Sequence, residues 1–129
     1  MATLEITQDH RKARNQASIT LADAGANPST LRLYSEKGGA LMATRTLAKP
    51  CGVLTAEGRI SLQMAAVNDL ALITGTPTWG EWCDGNGTKI AGAPVTDKDG
   101  AGPFKLSGAA NGMVYEGGTI LLKSPALLG

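Results

Sequence analysis

With 12 basic and 11 acidic side chains in 129 residues, the chain carries a formal net charge of +1 and no field to gather nucleic acid or an anionic membrane. The length fits one domain over 1–129, and 43% apolar content excludes a disordered tail. No apolar run nears the roughly 18 residues that a bilayer-spanning helix needs.

From about Thr7 to Gly25 the chain reads as one amphipathic helix, with Ala13, Ala17, Leu21 and Ala24 on one face. Gly25 supplies a stop, and Asn27-Pro28 forbids continuation. Before the helix, Leu4 and Ile6 give way at once to Asp9, His10, Arg11 and Lys12, so no export signal is expected. Synthesis in a cytoplasm then predicts that Cys51 and Cys83 are reduced thiols. The helical stripe is small-residued. Arg11, Lys12 and Arg14 beside it offer contacts to carboxylates, so the helix is expected to act as an assembly arm.

Beyond Pro28 the chain reads as short strands separated by turns. Leu31 and Leu33 alternate with Arg32 and Tyr34, and Glu36-Lys37-Gly38-Gly39 suits a hairpin turn. Ala40 to Ala48 alternates again, Arg45 interrupts its apolar face, and Lys49-Pro50 is expected to close the strand. Ile60, Leu62 and Met64 share one face of the next segment. Leu70 to Ile73 is too brief for periodicity to decide. Trp79 and Trp82, three apart in a strand, face opposite sides. Asp84-Gly85-Asn86-Gly87 is the strongest hairpin signal, and Pro94 ends the return strand or leaves it at an edge. Asp97 to Gly102 is a polar loop, Phe104 and Leu106 mark a short strand, and Gly108 to Gly112 turns the chain. Gly117-Gly118 introduces a last strand, with Ile120 and Leu122 opposing Leu121 and Lys123. Turns this frequent point to a mainly β sandwich or barrel, occupying about 30–124, with one N-terminal helix.

Signals for catalysis are weak. His10 is the only histidine and sits in a charged run without an orienting partner, so a solvated role is expected. Glu81 and Asp84 beside two tryptophans resemble a sugar site, but Asp84 is needed for its turn. The acidic loops around Asp84 and Asp97 lack full calcium ligand sets, and two cysteines with one histidine make no four-ligand zinc site. Gly100 and Gly102 lack the helix and the lysine-serine pair of a phosphate loop. Neither metal nor cofactor is expected.

The order of segments carries more. A helix with Arg14-Asn15, Ala17 and Asp23-Ala24-Gly25 runs into Leu31-Arg32-Leu33-Tyr34. Then come Leu41-Met42-Ala43-Thr44-Arg45-Thr46-Leu47, Pro50 and Gly58-Arg59-Ile60. Gly75-Thr76-Pro77-Thr78-Trp79, the Asp84 to Thr88 hairpin and Gly117-Gly118-Thr119-Ile120 complete the series. From about Arg11 to Lys123 this order resembles a family of small structural proteins of tailed bacteriophages and prophages. Its better-understood members resemble jelly-roll capsid cement, or decoration, proteins. Arg45 stands where that family usually has an apolar residue, and Gly80 and Glu81 stand where bulkier or basic residues are commoner. The family has no catalytic motif to carry over.

The resemblance implies a jelly-roll-like antiparallel β-sandwich and a non-enzymatic protein on the capsid surface of a virion, made in the host bacterial cytoplasm. Its partners would be the major capsid protein and a second copy of itself, as a homodimer. Arg11, Lys12, Arg14, Arg45 and Trp82 are the candidate interaction residues. The alternatives are a tail or baseplate component, and a carbohydrate-binding sandwich using Trp79 or Trp82.

Overall fold

Thr7 starts the helix by standing in extended geometry while its hydroxyl accepts the His10 backbone N–H at 3.1 Å. In the computed structural model, which describes residues 5–65, 69–107, 112–123 and 126–128, helix α1 spans Gln8–Ala22. It ends at the cap residue Asp23, short of Gly25. The expected apolar face is turned outward: Ala13, Ala17 and Ala24 are exposed, and Leu21 is 56% exposed. The buried stripe is Asn15, Ile19 and Ala22 instead. A polar residue in that stripe hides it from hydropathy. Asn15 is accommodated because its amide donates to the Gly58 carbonyl at 2.6 Å.

Among the described residues seven strands come after it: β1 (Thr30–Tyr34), β2 (Leu41–Leu54), β3 (Ile60–Met64), β4 (Trp79–Cys83), β5 (Lys89–Asp97), β6 (Phe104–Leu106) and β7 (Ala126–Leu128). They form one sheet in the order β6-β5-β4-β1-β2-β3-β7. The chain is thus mainly β with an N-terminal helix. Its sheet is nearly closed into a barrel, consistent with the expected sandwich or jelly-roll-like fold. One ladder departs from the antiparallel expectation, since β5 and β6 run parallel. Their short connection folds back because Gly100 lies against the Thr96 side chain and Gly102 against the Pro94 carbonyl, where a Cβ would not fit.

Pro50 does not close β2. The strand continues to Leu54, and its register with β3 jumps between Leu47 and Gly52. Pro50 lies within that jump, where its missing N–H costs no ladder bond. A second irregularity falls between Leu33 and Tyr34 of β1. It makes Met42 the extra residue, which lets the consecutive Met42 and Ala43 both be buried.

The Asp84 hairpin forms as expected, with Asp84 Oδ1 accepting the N–H groups of Asn86 and Thr88 at 2.9 and 3.0 Å. Pro94 stands within β5, on a stretch paired only with β4. Of the Gly108–Gly112 turn, all but Gly112 lies outside the described residues. Beyond Gly117-Gly118, Ile120 points inward and Leu121 outward, as alternation predicts. This stretch meets β6 by a single bridge, Leu106 to Leu122, before the chain reaches β7 against β3.

Leu31, Leu33, Leu47, Trp82, Phe104, Leu106 and Ile120 belong to one buried cluster, together with Ile19 and Ala22 of α1. The helix therefore packs on its own sheet. Among the described residues no helix is long and apolar enough to cross a membrane.

Candidate interaction surfaces

Alternation along β4 sends Trp82 inward and Trp79 outward. Trp82 is only 2% exposed, and its indole N–H donates to Ser29 Oγ at 2.8 Å. Ser29 in turn donates to the Cys83 carbonyl at 2.7 Å. The proposed contact role of Trp82 is thereby corrected: its ring is core and its one polar atom is already satisfied. Trp79 is the tryptophan that reaches the surface. Its indole donates to Glu81 Oε2 at 3.1 Å, and the Lys37 and Lys89 ammonium groups stand 5.2 and 5.8 Å from its ring centre. A sugar stacking on this ring would compete with a cation for the face it takes.

Arg45 is likewise turned inward. Its guanidinium meets Asp69 at 2.8 Å, with side-chain exposures of 13% and 17%, and also donates to the Ala65 carbonyl at 3.2 Å. Asp69 further accepts the Thr46 N–H at 2.6 Å. Arg45 thus fastens the segment after β3 onto β2. Of the helix cations, Arg11 reaches the Glu57 carbonyl at 3.4 Å, the Lys12 stem lies beside Gly58, and Arg14 is exposed.

The residues weighed for catalysis do not converge. His10 is exposed on the first turn of α1. Glu81 pairs with Lys89 at 3.4 Å while Asp84 closes its own turn. Among the described residues no group of three His, Cys, Asp or Glu side chains could hold a metal ion. Cys51 and Cys83 are free and buried. Burial, then the nearby Asp23 carboxylate, pushes the Cys51 thiol up to about 12, and burial raises that of Cys83. Neither thiol is poised as a nucleophile.

Two surfaces went unnoticed in the sequence. The first is apolar. Leu70, Leu72, Ile73, Tyr115 and Leu121 are 45–60% exposed and sit on two adjoining segments. Backbone bonds hold these together: Ala71 N–H to the Gly118 carbonyl at 2.9 Å, Gly75 N–H to Val114 at 2.9 Å and Ile120 N–H to Asp69 at 3.0 Å. The small buried Ala71 and the buried Ile120 anchor the segments from below. The Leu70 to Ile73 run was visible, but periodicity could not say which way it faced.

The second surface is a groove between β5 and β7. One part, of about 320 Å³, has Ile60, Trp82 and Phe104 beneath Ala91-Gly92-Ala93 and Leu127-Leu128. A neighbouring cleft of about 340 Å³ shares Arg59, Pro103 and Leu127 with it and adds Lys105 and Lys123.

No family model matches the chain, and neither does any curated protein or solved structure.

Proposed function

We propose that this is a non-enzymatic virion structural protein, a capsid cement protein that binds the outside of an assembled bacteriophage head and stabilises it. The observation that supports this reading is the apolar patch of Leu70, Leu72, Ile73, Tyr115 and Leu121. Five large apolar side chains on two cross-bonded segments are more than scattered surface hydrophobes, and such patches mark protein contacts. The resemblance in segment order is what points to the major capsid protein as the partner. A protein that binds only the assembled lattice stabilises that lattice by mass action. Many symmetry-related copies add avidity, so each patch can bind modestly. Two-fold positions of a shell would suit a homodimer.

The test is to mix the protein with purified heads and with tails, then pellet each and image it by electron microscopy. Cement protein decorates heads, a tail or baseplate part binds tails, and a lectin binds neither but binds glycans. Leu72→Asp with Ile73→Asp, both at exposed positions, should leave the fold intact and abolish decoration. Undiminished decoration by that variant would remove the patch from the reading.

A further inference from the structure

We propose that the groove between β5 and β7 receives an extended, acidic polypeptide segment, laid along the open edge of β5 with its carboxylates toward Arg59, Lys105 and Lys123. That the segment belongs to the shell subunit rests on the cement reading above. The groove's chemistry does not.

Three observations carry the proposal. First, β4 covers one side of β5 from Lys89 to Pro94, whereas β6 pairs on the other side only from Val95 onward. Among the described residues no strand pairs with Lys89–Pro94 on that second side. Pro94 has no N–H and its carbonyl lies against Gly102. The outward N–H and C=O groups of Lys89–Ala93 are therefore the ones that offer main-chain bonds to an added strand, over about 16 Å at roughly 3.3 Å per residue. Edges left open in this way are usually blunted by charge, proline or bulk. Lys89 and Pro94 do so at the two ends of this stretch, and Ala91-Gly92-Ala93 between them adds neither charge nor bulk.

Second, the groove exists because of residue size. Ala91 and Ala93 stand opposite Trp82 and Gly80, on the inward face of the sheet. Two methyl groups there leave room above Trp82 and Phe104, so alternate side chains of an incoming strand have an apolar floor.

Third, the groove has a charged end of one sign. Arg59 lies where the two cavities meet, held by its bond to the Leu127 carbonyl at 3.3 Å. Lys105 and Lys123 line the cleft beyond it, and no carboxylate is among the described lining residues. The Asp97–Asp99 loop stands beside this end, where the Lys123 ammonium donates to the Lys98 carbonyl at 3.2 Å. Asp99 pairs with Lys98 at 3.0 Å, and Asp97 accepts the Asp99 N–H at 3.0 Å and keeps its charge. Three cations at one end of an apolar strand-edge groove complement carboxylates on the occupant.

The probe is a fluorescein-labelled peptide of alternating valine and threonine that ends in glutamates, compared with one that ends in lysines, monitored by anisotropy. The acidic peptide should bind, more weakly as salt rises, while the basic one should not. Lys105→Glu with Lys123→Glu should weaken binding by about tenfold or more. Ala91→Phe, which fills the groove from its rim, should abolish binding while circular dichroism stays unchanged. Failure of the acidic peptide to bind, equal binding of both peptides, or indifference to the charge reversal overturns the inference. So does binding of dodecanoate in place of the peptide. Decoration of heads separates the two readings. If the wild-type chain and the charge-reversed double variant decorate heads equally, the groove does not hold the shell segment and the cement reading survives. If the wild type ignores heads yet binds the acidic peptide, the cement reading falls and the groove stands.

Discussion

The Asp23 carboxylate accepts the Cys51 backbone N–H with both oxygens, at 3.2 and 3.1 Å, tying the end of α1 to the irregular stretch of β2. Beside it the Lys49 ammonium donates to the Gly25 carbonyl. The register jump that holds Pro50 leaves the Cys51 amide without a ladder partner, and Asp23 supplies one. Asp23→Ala should therefore orphan a buried donor and cost about 1–3 kcal/mol. Asp23→Asn keeps one acceptor and should cost less. Urea midpoints for the three chains decide this. Equal midpoints would show that water satisfies the amide.

Cys51 gives stability a pH dependence at the alkaline end. Its thiol is raised from 9.0 to about 12 in the folded chain, first by burial and then by Asp23. Well below pH 9 the thiol is protonated in both states and has no effect. As pH climbs from about 9 toward 12, the unfolded chain loses that proton while the folded chain keeps it, so stability falls. Cys83 shifts in the same direction. Denaturation midpoints should drop between pH 8 and pH 10.5 for the wild type and drop less for Cys51→Ala. An unchanged slope in that variant would assign the loss to other groups.

Asp69 neutralises Arg45 and also organises the segment that carries Leu70, Leu72 and Ile73. Removing it by Asp69→Ala leaves a largely buried guanidinium without its carboxylate and should cost about 3 kcal/mol. The Ile120 N–H bonds the Asp69 carbonyl, so the apolar patch should loosen as well. Arg45→Met with Asp69→Leu should recover part of the loss, because the apolar pair carries no charge to desolvate but still leaves the Thr46 N–H without the Asp69 acceptor. Calorimetry on the single and double variants measures both effects. A double variant as unstable as the single one would locate the cost outside the ion pair.

The assembly-arm expectation for α1 becomes a prediction of the opposite sign. Ile19 and Ala22 lie in the central buried cluster, Asn15 bonds the turn between β2 and β3, and Asp23 bonds β2. Deleting residues through Gly25 exposes Ile60 and Cys51 besides removing those contacts, and burying one Ile-sized side chain is worth about 1.5–3 kcal/mol. The truncated chain should lose its cooperative melting transition. A truncated chain that still melts sharply near the wild-type temperature would return the helix to the surface role.

Gly58 explains why the helix sits where it does. At φ +85° it turns the chain between β2 and β3, and a Cβ there would stand 2.9 Å from Lys12 Cγ and 3.2 Å from the Gln8 carbonyl. Gly58→Ala should push α1 off the turn and destabilise the chain by about 1–3 kcal/mol, read by the same urea titration.

Much of the β framework was legible in the residues. Alternation in β1 and at Ile60 to Leu62 of β3, and the opposite faces of Trp79 and Trp82, follow from a period of two, the Asp84 hairpin follows from its turn residues, and they hold. Each is local: a strand's inward face comes from its own side chains, and a tight turn from its own φ angles. Non-local bonds decided the rest. The buried stripe of α1 contains Asn15, which hydropathy counts as outward until Gly58 offers a carbonyl from a distant turn. Pro50 stops a strand by local rules, yet β2 continues because its neighbours bulge away there. Arg45 and Trp82 look available for a partner until Asp69 and Ser29 engage them from elsewhere in the chain. The open edge of β5 and the convergence of Arg59, Lys105 and Lys123 depend on which strands meet and which do not. Sequence determines what each residue can satisfy alone, and only tertiary structure determines which polar groups and which edges are already taken.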